Sequence, residues 1–324
     1  MADRRLFLGI DTSNYKTSLA VIDDSASIVF EKSELLEVKP GSRGLRQSEA
    51  FYQHSMRLPG YIEEALDAVP ASDIKAIGYS ARPRRQQGSY MPCFNAGINT
   101  AKTLSAALSL PAYSFSHQEG HAAAIIPQDE TGRLVFMHLS GGTTEFLLCE
   151  LDDKGYGMEI AGGTKDISFG QLLDRAGVAL GYPFPAGRYL DEIALEHIEG
   201  DPSKPIGFPR IRIDDGYFNL SGPETKLLKY IEEQGLSADD PGALAPAISE
   251  LFRYIADILS SSAWYLSEKH GIKRIYMAGG VASSAAIRKL IGNISGLDIR
   301  FGDPVLSGDN AVGIAKLAKR IHDS

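Results

Sequence analysis

Leu6-Phe7-Leu8-Gly9-Ile10-Asp11-Thr12-Ser13 and Val135-Phe136-Met137-His138-Leu139-Ser140-Gly141-Gly142-Thr143-Thr144 carry the same pattern, an apolar run closed by a turn of small, hydroxylated and glycine residues. Each is followed by a second apolar segment, residues 18–23 and 145–151, and the two copies start about 130 residues apart. Two strands joined by such a turn offer backbone N–H groups and hydroxyls to an anion. A period this long is that of a duplicated domain, not of a solenoid. The expectation is two similar α/β lobes whose hairpin turns face each other across one cleft.

Outward from the first copy, strands are expected at 6–11, 18–23 and 27–30. A helix follows at 48–69 with Leu58, Ile62, Ala65, Leu66 and Val69 at helical spacing, then a strand at 74–79 and a helix at 96–108. Beyond the second copy come a strand at 158–160, a helix at 168–181, a Pro/Gly loop at 182–189 and an irregular stretch at 200–223. Helices at 224–233 and 246–270 precede a strand at 274–277, a helix at 284–291, a short strand and a final helix. This divides the chain into a first lobe at 1–130 and a second at 131–308, with the last helix, 309–324, returning to the first.

At 324 residues with 44% hydrophobic and 23% charged residues, the chain has the composition of a two-domain globular protein, which excludes disordered, collagen-like and coiled-coil readings. No run reaches the roughly 18 uncharged apolar residues of a membrane span, and Met1-Ala2-Asp3-Arg4-Arg5 leads directly into a strand, so no membrane partner and a cytoplasmic location are expected. Cys93 and Cys149 are too few for a disulfide framework or a thiolate zinc cage. With a net charge of −8, nucleic acid would have to be held by a local basic patch. Arg82-Pro83-Arg84-Arg85 is the densest one, though a solvated loop reads the same way.

His117-Gln118-Glu119-Gly120-His121 enters a helix after a short strand, so two imidazoles at i and i+4 share a face and can reach one metal, although two of seven histidines can also fall four apart at a helix start by chance. It is not the zinc-protease motif, because Gln118 stands where that motif needs its glutamate base. The best third ligand is Asp309 in the Ser307-Gly308-Asp309-Asn310 turn, which could equally be a helix cap. Gly279-Gly280-Val281, between a strand and a helix, suits an anion or nucleotide, as does Ser140–Thr144, which could equally be a plain hairpin turn. Asp174 offers a carboxylate for ribose hydroxyls, or forms a plain surface pair with Arg175.

In order along the chain, His117-x3-His121, Ser140-Gly-Gly-Thr-Thr144, Asp174 with the loop to Gly187, Asn219-Leu-Ser-Gly222, Met277-Ala-Gly-Gly-Val281 and Asp309-Asn310 resemble the TsaD (Gcp) family of tRNA N6-adenosine threonylcarbamoyltransferases. The resemblance implies the actin-like ATPase (ASKHA) fold, with two duplicated RNase H-like lobes around a nucleotide cleft. It implies one divalent metal, iron or zinc, on His117, His121 and Asp309. It implies an ATP/AMP-type nucleotide, as part of the substrate, held by Ser140, Gly141, Gly142, Thr143, Thr144, Asp174, Gly187, Asp191, Gly279, Gly280 and Ser284. Transfer of threonylcarbamoyl from its adenylate to N6 of a tRNA adenine is the implied reaction, with Asp11 and Lys16 as candidate catalytic groups and Arg82, Arg84 and Arg85 as candidate RNA contacts. A smaller homologous subunit, or a second copy, is the implied protein partner, docking on the first lobe near Phe51, Tyr52, Met56, Leu58 and Tyr61; the same residues could instead pack on their own sheet.

Four departures mark a divergent paralogue. The first turn reads Asn14-Tyr15-Lys16 where the family carries an acidic pair, and Ala81-Arg82-Pro83-Arg84 stands for Ala-Gly-Pro-Gly. Thr143 replaces a histidine, and Ser284 an asparagine. Two further readings therefore stand beside the first: a carbamoyl-type transferase with another acceptor, and a non-catalytic nucleotide-binding subunit.

Overall fold

The computed structural model describes residues 4–13, 15–38, 45–86, 88–152, 155–200, 203–292, 294–308 and 310–324. Two compact units make up the chain. Unit 1 comprises Met1–Gly132, Glu150–Met158 and Gly308–Ser324; unit 2 comprises Arg133–Cys149 and Glu159–Ser307.

Unit 1 is built on a five-stranded sheet in the order β3-β2-β1-β4-β5. Its strands are β1 (Leu6–Thr12), β2 (Lys16–Asp23), β3 (Ile28–Leu35), β4 (Ile74–Arg82) and β5 (Ala112–Ser116). The first three form an antiparallel meander, while β4 and β5 run parallel to β1. Every residue of β1 is buried, as expected of a central strand covered on both faces. Helices α1 (Gln47–Ala68), α2 (Phe94–Leu108), α3 (His117–Ile125) and α9 (Val312–His322) complete the unit.

Glycine fixes where α9 lies. A Cβ on Gly9 of β1 would run into the Ala311 carbonyl oxygen, and one on Gly313 of α9 into that of Gly120 in α3. Helix and sheet, and the two helices, thus approach closer than any side chain permits. Residues 150–158, expected in the second lobe, count with unit 1. Arg320 of α9 donates through Nε to the Asp152 carbonyl (2.8 Å) and its guanidinium lies over the Tyr156 ring, so the basic last turn of α9 holds this hairpin end.

Unit 2 carries a six-stranded sheet in the order β11-β10-β6-β7-β8-β9. These are β6 (Gly132–Leu139), β7 (Thr144–Asp152), β8 (Gly155–Thr164), β9 (Tyr217–Phe218), β10 (Arg274–Ala278) and β11 (Asp298–Phe301). Its helices are α4 (Phe169–Ala179), α5 (Gly187–His197), α6 (Ser221–Gln234), α7 (Pro241–His270) and α8 (Ala285–Ile291). Val135, Met137 and Leu139 of β6 join Leu251, Phe252, Ile255 and Leu259 of α7 in one apolar core.

Two helices depart from the sequence reading. α5 takes in the end of the expected loop, 187–189, and runs on through 190–197, where the sequence reading placed no element, because the Pro/Gly punctuation ends at Gly187 and Leu190, Ile193 and Ala194 then bury one helical face. α7 begins five residues early: Asp240 caps it through the Ala243 N–H, and Pro241 fits the first turn, where no donor is needed. Among the described residues no helix is long and apolar enough to cross a membrane.

Candidate functional site

Within unit 1, polar side chains gather at the carboxyl ends of the parallel strands, where ligands of open α/β sheets bind. β1 delivers Asp11 and β5 delivers the start of α3. Ser116 and Glu119 form a capping box: the Ser116 hydroxyl accepts from the Glu119 N–H, and the buried Glu119 carboxylate accepts from the Ser116 N–H at 2.7 Å. The helix therefore starts at His117, and His121 follows one turn later on the same side.

His117 Nδ1 lies 3.0 Å from Asp11 Oδ1, and His117 Nε2 lies 3.0 Å from His121 Nε2. A carboxylate on Nδ1 sets the proton there and leaves Nε2 as a lone pair, the arrangement of a metal-binding histidine with its carboxylate support. Two nitrogens bound to one ion at about 2.0–2.2 Å stand roughly 3 Å apart, so the spacing fits a shared cation. Asp11 Oδ2 is also buried with no hydrogen-bond partner among the described residues, a local excess of negative charge that a cation would relieve. The donor set fits a divalent metal. Asp309 lies outside the described residues, and among those described no cluster of three or more His, Cys, Asp or Glu is arranged as a complete metal site.

Asp11 is thus a fully buried group acting on His117. Lys16, half-buried, opens β2; Asn14 lies outside the described residues. Behind the turn stands His54 of α1, buried, with Nδ1 2.8 Å from Thr17 Oγ1 and Nε2 2.9 Å from the Ser13 carbonyl. Burial pulls its pKa below the ordinary 6.5, so it stays neutral. Sequence reading overlooked it: a histidine on an otherwise amphipathic helix carries no local signal. Cys93 is buried, and burial together with the Asp11 charge pushes its thiol up to about 12, so it is inert.

The basic loop is partly spent on structure. Arg85 Nη1 pairs with the buried Glu119 at 3.3 Å and donates to the Tyr156 carbonyl, while Arg82 Nε is buried. Arg84 donates its backbone N–H to Ser89 Oγ. On α1, Leu58 and Tyr61 are buried against their own sheet, whereas Tyr52 and Met56 are exposed, as is Leu35 at the end of edge strand β3.

Within unit 2 a cavity of about 430 Å³ gathers Gly141, Asp174, Gly187, Asp191, Gly280 and Ser284 of the expected nucleotide set. Leu173, Pro185, Phe252 and Val281 give it an apolar wall. Its carboxylates are engaged with backbone. Asp174 Oδ1 accepts from the Ala186 and Gly187 N–H groups (2.8 and 3.2 Å), capping α5, whose own N-cap Ala186 cannot. Asp191 accepts from the Ala285 and Ala286 N–H groups, both at 3.0 Å, and from the Ser284 hydroxyl.

The remaining expected residues, Ser140, Gly142, Thr143, Thr144 and Gly279, do not line the cavity. Ser140 and Thr143 close the hairpin turn (N–H to carbonyl, 2.8 Å), beside Gly142. Thr144, buried, accepts the Phe169 N–H at 3.0 Å. Gly279 has φ +106°, and a Cβ there would strike the Leu139 carbonyl. The Asn219–Gly222 motif is tied to Asp166, which accepts from the Leu220 and Ser221 N–H groups (2.9 and 3.0 Å). Burial opposes charge on Asp166, but those amides outweigh it and hold the carboxyl well below its usual range.

Residues 30–316 match the family model described as TsaD, tRNA N6-adenosine threonylcarbamoyltransferase. A curated relative of that name from Geotalea uraniireducens is 30% identical over 319 residues, covering 96% of this chain and 89% of the relative. One from Thermotoga neapolitana is 29% identical, covering 95% and 92%. Among solved structures, HypF of T. kodakarensis aligns with a TM-score of 0.60 at 14% identity, over 97% of this chain and 46% of that one. A ROK family glucokinase from Streptomyces griseus, in complex with glucose and AMPPNP, aligns with a TM-score of 0.53 at 13% identity, over 97% and 99%. Similarity at this level establishes the fold, which is that of the actin-like ATPases.

Proposed function

Because the chain belongs to the tRNA N6-adenosine threonylcarbamoyltransferase family, TsaD, we propose that it moves a threonylcarbamoyl group from a threonylcarbamoyl-adenylate to N6 of an adenine in tRNA. The observation that carries this reading is the convergence of the His117 and His121 Nε2 atoms under the support of Asp11. His117, His121 and Asp309 would hold one divalent metal, iron or zinc. When bound, it supplies positive charge for an oxygen that becomes negative during transfer.

The chain's own groups do the rest. Asp11 keeps the His117 proton on Nδ1 and so keeps Nε2 basic. In unit 2, Leu173, Pro185, Phe252 and Val281 offer adenine an apolar surface, the Gly141 and Gly280 backbones admit close approach of the phosphate, and Asp174, which caps α5 through Oδ1, would meet a ribose hydroxyl through Oδ2. Asp191 and Ser284 act by fixing the start of α8 beside that cavity. The adenine N6 attacks the carbamoyl carbon, the N6–C bond forms, the bond from that carbon to the phosphate oxygen breaks, and AMP and the N6 proton depart. Lys16, at the start of β2, is the proposed catalytic cation of unit 1.

The exposed Leu35, Tyr52 and Met56 are the proposed docking face for a smaller homologous subunit or a second copy, and tRNA as acceptor puts the reaction in the cytoplasm. Purified full-length protein, threonylcarbamoyl-AMP and an unmodified tRNA transcript test the reading. Threonylcarbamoyladenosine detected by mass spectrometry in the digested tRNA is expected. AMP release with no modified adenosine would point to another acceptor, and neither product to a non-catalytic subunit.

A further inference from the structure

Unit 2 has a second and larger cavity that shares no residue with the first. It is a groove of about 650 Å³ between one face of α7 and the coil at 203–213. Glu250, Tyr254, Ile258, Ser261 and Tyr265 recur every three or four positions and form the helical wall. The coil is pinned at its start: the buried Glu250 carboxylate accepts from the Ile206 and Phe208 N–H groups (2.7 and 3.1 Å). Phe208 then stacks on Tyr254, with ring centroids 4.5 Å apart. Past that anchor Pro209, Arg210, Ile211 and Ile213 of the coil line the groove opposite the helix.

Its chemistry is distinctive in a chain of net charge −8. The coil Ser203-Lys-Pro-Ile-Gly-Phe-Pro-Arg-Ile-Arg-Ile213 holds three cations and no carboxylate. Lys204, Arg210 and Arg212 are all exposed, and the first two line the groove. Arg253 Nη1 and Tyr254 Oη are buried with no hydrogen-bond partner among the described residues, two donors whose desolvation is uncompensated. Asp257 is the one lining carboxylate besides the engaged Glu250. Phosphate-seeking cations on the rim together with aromatic rings inside are what an unstacked nucleotide requires.

We propose that this groove takes an unpaired nucleotide of the RNA substrate, its phosphate on Lys204 and Arg210 and its base against Phe208 and Tyr254. The proposal rests on the tRNA-acceptor reading and assigns part of the grip on RNA to a place apart from the nucleotide cavity. Anisotropy of a fluorescein-labelled, unmodified tRNA transcript with the full-length protein tests it. Lys204→Glu with Arg210→Glu, both exposed and so compatible with folding, is expected to weaken binding at least tenfold and to make the slope of log K against log salt shallower by about one to two. Tyr254→Leu is expected to cost about tenfold without changing that slope. Should this core-side variant misfold, ultraviolet cross-linking of a 4-thiouridine tRNA to the wild-type chain is expected to label residues 203–213. Unchanged affinity and slope in the double variant, cross-links only elsewhere, or no tRNA binding by the wild type would overturn the proposal. A wild type that binds tRNA through the groove but transfers nothing would sink the transferase reading alone; a wild type that transfers while the double variant binds normally would sink the groove alone.

Discussion

The two candidate sites are made from different materials. Unit 1 presents side chains: Asp11, His117 and His121 meet within hydrogen-bond distance, and one buried carboxylate oxygen has no partner among the described residues. Unit 2 presents backbone and an apolar wall: turns, glycines and a helix start line the cavity beside Leu173, Pro185, Phe252 and Val281, and Asp174 and Asp191 have most of their oxygens committed to N–H groups. A side-chain site concentrates charge and changes protonation, which suits chemistry. A backbone site has a fixed shape and preset N–H donors, which suits holding an anionic ligand. The first should be vulnerable to changes of chemical identity at constant shape, the second to added volume at constant chemistry.

The largest effect expected from that contrast is at His121. His121→Ala removes a donor without disturbing the capping box of α3, so transfer should fall by about a thousandfold or more while thermal unfolding shifts little; steady-state rates and calorimetry read the two. A variant that kept activity would place the chemistry elsewhere. Asp11→Asn keeps the shape but no longer fixes the His117 tautomer. A loss of about 10–100-fold in metal affinity is expected, measured by competition with a chelating dye, with the KM for threonylcarbamoyl-AMP unmoved.

Unit 2 should respond in the opposite sense. Gly279→Ala adds one methyl group at φ +106°, facing the Leu139 carbonyl, and should cost about 1–3 kcal/mol of stability and weaken AMP binding in calorimetry. An unaffected variant would mean that the turn tolerates volume and that the contrast is wrong. The smallest effect is in pH dependence. His54 resists protonation in the folded chain but takes a proton near 6.5 when unfolded, so the unfolded state binds more protons and stability declines as pH falls below 6.5. Asp166 has a depressed pKa, so its contribution is complete above the ordinary 3.8 and is lost as pH falls below it. His54→Gln should flatten the upper limb of a plot of Tm against pH, and Asp166→Asn the lower one.

Much of this architecture could be read from the chain because it is local. The strand-turn-strand echo at β1 and β6 is written in contiguous apolar runs, and the His117–His121 spacing needs only one helical turn. Ser116-x-x-Glu119 is likewise a visible capping pattern, and it explains why α3 starts where it does. What stayed hidden is non-local. α5 lacks its own cap and depends on Asp174, twelve residues earlier, to satisfy its first amides. Asp191 reaches across 94 positions to the start of α8. Arg85 reads as a free cation until Glu119 and Tyr156 are seen beside it. None of these pairings leaves a periodic trace, since each depends on where separate elements come to rest.

The most direct test of the metal-centre claim is metal content. Full-length protein, stripped with a chelator and reloaded separately with iron and zinc, is desalted and quantified by elemental mass spectrometry, in parallel with the His117→Ala/His121→Ala variant. The expected result is about one equivalent of one of these metals in the wild type and a negligible amount in the variant. Equal retention by both proteins, or none by the wild type, would contradict it.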